Sequence, residues 1–124
     1  MGQYWLLVNL TKGEYVIPTG GIKLLEIAWT PEMMVILTGL LADDCNGKGN
    51  GDFRGDYEYI GRWAGDRVIF TGDYGEPGQN VERVAKALGK RVTEDDLNLN
   101  LYEYIRENGV DISEEAYKIL DENK

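Results

Sequence analysis

Histidine is absent from the 124 residues of this chain, serine occurs once, at Ser113, and cysteine once, at Cys45. Without histidine no Ser-His-Asp or Cys-His relay can be assembled, and zinc sites that depend on imidazole are excluded as well. Acid–base work falls to Asp, Glu, Tyr or Lys, and a metal site would need oxygen donors, which suits Mg²⁺ or Ca²⁺ before zinc. A lone thiol makes no internal disulfide, the usage of a reducing compartment. Cys45 follows Asp43 and Asp44, whose charge disfavours the thiolate and with it a reactive nucleophile. Positive charge is also scarce: 13 Lys and Arg stand against 22 Asp and Glu, for a net charge of −9 and a pI near 4.4. With no basic block, neither nucleic acid nor an anionic membrane surface is an expected partner. No signal-peptide pattern opens the chain, and Leu6 stands where myristoylation wants Ser or Thr. The longest apolar run, Ile22 to Ala42, is broken by Lys23, Glu26 and Glu32, so it is no membrane span. These features predict a cytoplasmic protein without a cofactor.

What is present reads as a single α+β domain, of a length that buries one core. Tyr4 to Leu10 is apolar and β-prone, Lys12-Gly13 supplies a turn, and Tyr15 to Ile17 returns before Pro18, a first hairpin. Ile22 to Trp29 reads as a further strand, although Leu24, Leu25 and Ile27 would also suit a helix. Thr30-Pro31-Glu32 combines an N-cap oxygen, proline at the first helical position and an acid in the first turn. The helix it starts, Pro31 to Ala42, is apolar on nearly every side and is therefore expected to be buried on the sheet. Three short helices are predicted at the C-terminal end. Asn80 caps the first, with Val81, Val84, Ala85 and Leu88 inward, a Glu82–Lys86 pair outward and Gly89 as its stop. Thr93 caps the second, with Leu97, Leu101, Tyr104 and Ile105 on one face. Ser113 caps the third, with Ala116, Ile119 and Leu120 buried.

Between these parts, Tyr57 to Gly75 reads as a second hairpin around which the rest is organised. A type II′ turn at Gly65-Asp66 sets Trp63 opposite Val68 and Gly61 opposite Phe70. One face then carries Trp63, Phe70 and the covered glycines, and is core. The other presents Arg62, Arg67 and Asp73. The predicted architecture is thus a mainly antiparallel sheet, two hairpins plus a strand, packed by one buried helix and the C-terminal group of three.

The opening Met1-Gly2-Gln3-Tyr4-Trp5 with Val8-Asn9, the run Gly21 to Glu26, Gly49-Asn50-Gly51-Asp52, and above all Gly61-Arg62-Trp63-Ala64-Gly65-Asp66-Arg67 followed by Gly72-Asp73-Tyr74 carry a resemblance. The chain resembles a family of small uncharacterised proteins of fungal, actinobacterial and viral genomes. The likeness covers most of the first 75 residues and matches the C-terminal helices only loosely. It implies no activity, and a viral source is one it allows.

Candidate site residues fall into two groups. Arg62, Trp63, Asp66, Arg67 and Asp73 offer Arg/Asp pairs to a small polar or anionic ligand; the structural alternative is a turn aspartate, a core tryptophan and locally paired arginines. The glycine-rich loop 43–56 sets Asp44, Asn46, Gly49 and Asn50 at the first, third, sixth and seventh places of a calcium loop, but Lys48 and Gly55 occupy the fifth and twelfth. Together with Asp52 these loop residues form a second candidate surface, though no metal is expected there. Two function classes follow. One is a non-enzymatic binding or protein-interaction domain using the hairpin and the loop, with a protein, a small polar ligand or a second copy as partner. The other is a small hydrolase working through Asp52, Asp66 and Asp73, with or without Mg²⁺.

Overall fold

The computed structural model describes residues 4–18, 23–28, 30–42 and 59–122. β1 (Trp5–Asn9) and β2 (Glu14–Val16) form the first hairpin as expected, with Leu7 opposite Val16 and Asn9 opposite Glu14. Its turn is built by Asn9, whose carboxamide oxygen accepts from the amides of Thr11 and Lys12, each at 2.8 Å. Gly13 closes it with φ 72°, and a Cβ there would lie 2.6 Å from the Leu88 side chain, so any other residue would strain the backbone and displace Leu88.

Chain order continues with α1 (Leu24–Ala28), α2 (Pro31–Leu41), β3 (Val68–Gly72), α3 (Val81–Ala87), α4 (Leu101–Asn108), β4 (Val110–Asp111) and α5 (Ser113–Glu122). The sheet order is β3-β1-β2-β4: β1 is antiparallel to both neighbours, and β4 runs parallel to β2. The fold is therefore α+β with a mostly antiparallel four-stranded sheet, as the sequence predicts, but its strands are not all the predicted ones.

Helices cover both faces. Leu7 and Val16 enter one core with Ile27, Met33, Ile36, Leu40, Trp63 and Ile119. Leu6, Val8 and Tyr15 enter the other with Val81, Val84, Leu101, Tyr104 and Ile105. This sandwich explains why β1 reads Trp-Leu-Leu-Val without alternation: a strand buried on both sides has no wet face.

Five expectations are corrected. The hairpin over Tyr57 to Gly75 does not form. Residues 59–66 are a succession of turns, with 57 and 58 outside the described residues, and β3 pairs with β1 instead, Phe70 opposite Leu7. The reason lies at the end of α2, where the last carbonyls of a helix need donors. The Gly61 amide donates to the Gly39 carbonyl and the Trp63 amide to the Leu40 carbonyl, both at 2.8 Å. Trp63 and Phe70 nevertheless share one core, as the hairpin reading required.

The strand favoured over Ile22 to Trp29 gives way to the helical alternative, α1, whose Ile27 alone is buried. The hydroxyl of Thr30 gives its bond back to the Glu26 carbonyl at 2.7 Å rather than capping α2. Finally, the second C-terminal helix begins later. Thr93 caps only a single 3₁₀ turn, Asp96–Asn98, while Asn100 forms a full capping box with Glu103 at the start of α4. Asn80 adopts a left-handed conformation at φ 64° and caps nothing with its side chain. α4 runs straight into β4, a pairing too short to announce itself in the sequence.

Candidate binding surface

The β1–β2 turn and the 59–66 segment are bolted together by two acidic groups. Glu14 is 5% exposed and accepts from the Trp63 indole Nε1 at 2.7 Å and from the Arg62 Nε at 3.0 Å, with a further bond from the Arg62 Nη2. The Arg62 guanidinium also stacks 4.8 Å over the Tyr59 ring. Asp66 accepts from the buried Asn9 Nδ2 at 2.8 Å and pairs with Lys12 Nζ at 2.5 Å. Partial burial pushes the Asp66 carboxyl up, but the hydrogen bonds from Lys12 and Asn9 and the charges of Lys12 and Arg62 outweigh it and hold the group below its usual range.

Of the five residues predicted for a site here, three are therefore committed to architecture. Trp63 is fully buried, Arg62 is held by Glu14, and Asp66 is held by Asn9 and Lys12. Asp73 sits beyond the far end of β3, where its Oδ1 accepts from the Tyr4 amide at 3.1 Å. Arg67 and the five residues of β3 separate it from Asp66, about 23 Å of extended chain. The structure does not bring the two carboxylates together. Asp44, Asn46, Asn50 and Asp52 lie outside the described residues.

Arg67 has a different setting. Its backbone is pinned, the amide donating to the Thr11 hydroxyl at 3.0 Å and the carbonyl accepting from Leu10 at 2.8 Å, while its side chain is exposed. It lines an open groove of about 570 Å³ with Thr11, Gly65, Arg83 and Lys86. Among the described residues none of these three cations is in an ion pair; the Glu82–Lys86 pair expected from helical spacing does not form. The sequence marked neither Arg83 nor Lys86 as a site residue, and named Lys86 only as the partner of Glu82. Their signal was the polar side of α3, i and i+3 apart, but nothing in the pattern places that side beside Arg67.

The groove continues along β3. A second part of it is lined by Leu10, Arg67, Val68, Ile69, Asn80 and Arg83, and a third runs past Phe70 and Thr71 to Tyr74 and Gln79. β3 is an outer strand of the sheet. Because the Leu10 amide bonds to Arg67 and the Asp73 amide to Tyr4, the antiparallel alternation turns the odd-numbered backbone groups of 67–73 toward β1. The amides and carbonyls of Val68 and Phe70 then face away from the sheet, and among the described residues they have no partner.

Among the described residues, no group of three or more Asp, Glu or Cys side chains is placed to hold a metal ion, and no helix is long and apolar enough to cross a membrane. No protein-family model, curated protein or solved structure matches the chain.

Proposed function

We propose that this chain is a non-enzymatic protein-interaction domain that takes up an extended segment carrying carboxylate side chains along the outer edge of β3. The observation that carries the reading is the gathering of Arg67, Arg83 and Lys86, all unpaired among the described residues, on one groove of a chain whose net charge is −9. Three cations gathered at a single place, with no carboxylate paired to them among the described residues, hold a local field opposite in sign to the chain's net charge. That groove leads into strand-edge amides of Val68 and Phe70, which supply sequence-independent affinity in strand addition, while side chains supply the selectivity. Part of the recognition surface expected from the sequence, residues 67–73, is retained in this reading, with a different geometry. A cytoplasmic setting, from the lone Cys45, and kinship with the family that shares the Gly61–Arg67 motif belong to the same proposal.

The hydrolase reading has less support, since Asp66 and Asp73 stand at opposite ends of β3 and Asp66 is occupied by Lys12 and Asn9. The test is a fluorescence-polarisation titration with two labelled peptides of alternating valine and charge, one carrying Glu and the other Lys. The Glu peptide is expected to bind, at least tenfold more weakly to Arg83→Glu/Lys86→Glu and more weakly in high salt. With the protein dilute enough to be a single chain, equal binding of both peptides, or binding of neither, contradicts the proposal.

A further inference from the structure

Natural sheet edges are usually blunted by lysine, proline or a bulge, because unpaired backbone groups recruit another chain. β3 carries none of these: it reads Val-Ile-Phe-Thr-Gly, and Val68, Ile69, Phe70 and Thr71 are all half-buried. An edge left this adhesive in a folded protein is expected to have a regular occupant. The sequence of the strand and of its two flanking residues indicates which one.

Resting on the strand-addition reading above, we infer that the segment received by β3 is β3 of a second copy of the chain, antiparallel about a two-fold axis through Phe70. In that register the outward-facing backbone of Phe70 meets its own counterpart, and Val68 meets the partner's Gly72, whose carbonyl accepts from the Gly75 amide at 3.1 Å and keeps its second lone pair for the Val68 amide. Ile69 lies opposite the partner's Thr71. Arg67 lies opposite the partner's Asp73, and by symmetry this happens twice. Opposite charges in directly facing, non-hydrogen-bonded positions stabilise a strand pair, and here they arise from the spacing of Arg67 and Asp73 about Phe70 alone. A shift of two residues in either direction loses both pairs and leaves outward groups unmatched. Arg67, which has no carboxylate partner among the described residues, thus receives one from the other copy.

The face of β3 turned toward α1 and α2 agrees. Phe70 there lines an apolar cavity of about 140 Å³ with Ile27, Ala28, Met33, Met34 and Leu37. A cavity of roughly 150 Å³ with such a lining accepts a benzene ring. The self-pairing register sets the partner's Phe70 against the Phe70 that lines this cavity, on the face where Met34 is 49% exposed in the single chain. The two sheets join into one continuous eight-stranded sheet, twice the four strands of the single chain.

Charge exchange tests the register. Sedimentation equilibrium of the wild type is expected to give twice the chain mass of 14.0 kDa. Arg67→Asp alone faces Asp73 of its twin, and Asp73→Arg alone faces Arg67, so each variant is expected to be a monomer with wild-type circular dichroism. Mixed one to one, they restore both pairs and are expected to return to the doubled mass. An isotope-filtered NOE between Phe70 of one copy and Phe70 of the other needs no variant and is expected in the wild type. A wild type that stays monomeric at NMR concentration overturns the inference; if it still binds the Glu peptide, the strand-addition reading survives, and if it does not, both fall. A dimer that ignores both charge reversals, or that lacks the Phe70 cross-peak, overturns the register.

Discussion

Asp66 is a half-buried carboxylate in a turn, and the sequence offers two uses for it, a ligand contact or a good turn residue. Its surroundings choose the second. Asn9 is fully buried and spends both ends of its carboxamide on the turn, the oxygen on the Thr11 and Lys12 amides and the nitrogen on Asp66. Removing the Asp66 charge leaves a buried donor facing a weaker acceptor and Lys12 without its partner, a loss of about 2 kcal/mol. The pH dependence follows from the direction of the shift. The folded-state carboxyl titrates below the ordinary value of 3.8, so its stabilisation is complete above that value and is lost as pH falls through the lower, folded one. Urea denaturation between pH 6 and pH 2.5 is expected to show the wild type losing stability below about pH 4 more steeply than Asp66→Asn. Parallel curves would mean that Lys12 and Asn9 do not hold the charge. Glu14 plays the corresponding part for Arg62 and Trp63. Its role was not legible, because a glutamate within Lys-Gly-Glu-Tyr reads as hairpin surface until the indole 49 positions away is seen to need an acceptor.

Segment 59–66 shows where local reasoning stops. Alternating aromatics and glycines from Tyr57 to Trp63 carry a fair strand pattern, and the Gly65-Asp66 dipeptide carries a fair hairpin turn. Two signals that depend on distant contacts override them. The C-terminus of α2 needs donors for Gly39 and Leu40, and the Trp63 ring needs the polar pocket made by Glu14. Gly61 is where this competition is resolved: its φ of 77° breaks any strand, and a Cβ would lie 2.7 Å from the Ala42 carbonyl oxygen. Gly65 has a similar φ of 81° but open space around it. Gly61→Ala is therefore expected to lower stability by about 3 kcal/mol, strain plus clash, and Gly65→Ala by about 1 kcal/mol, strain alone. Equal effects in thermal or urea unfolding would argue against the close approach to α2. By contrast, the β1–β2 hairpin, α2 and the residues facing the core from α3 and α5 were readable, because turn chemistry, an N1 proline and 3.6-residue periodicity all act over a few positions. β4, with two residues, and the partner of β3 were not, since pairing between strands 60 residues apart leaves no local mark.

At the scale of the molecule, one sheet lies between two layers of helix, and each outer strand shows a different treatment. β4 is two residues long, the short edge that natural sheets tolerate. β3 has five residues and no gatekeeping charge within them, with Arg67 and Asp73 placed just beyond its ends and Arg83 and Lys86 beside the groove. The binding surface drew on two residues the sequence had marked, Arg67 and Asp73, and on two it had not, because only the packing of α3 against the sheet sets Arg83 and Lys86 alongside β3. Everything proposed about function depends on that edge being open in the single chain. Amide hydrogen exchange followed by NMR on dilute protein measures it residue by residue. Slow exchange at Ile69 and Thr71 with fast exchange at Val68 and Phe70 is the result predicted; uniformly slow exchange from Val68 to Thr71, unchanged on further dilution, would contradict it.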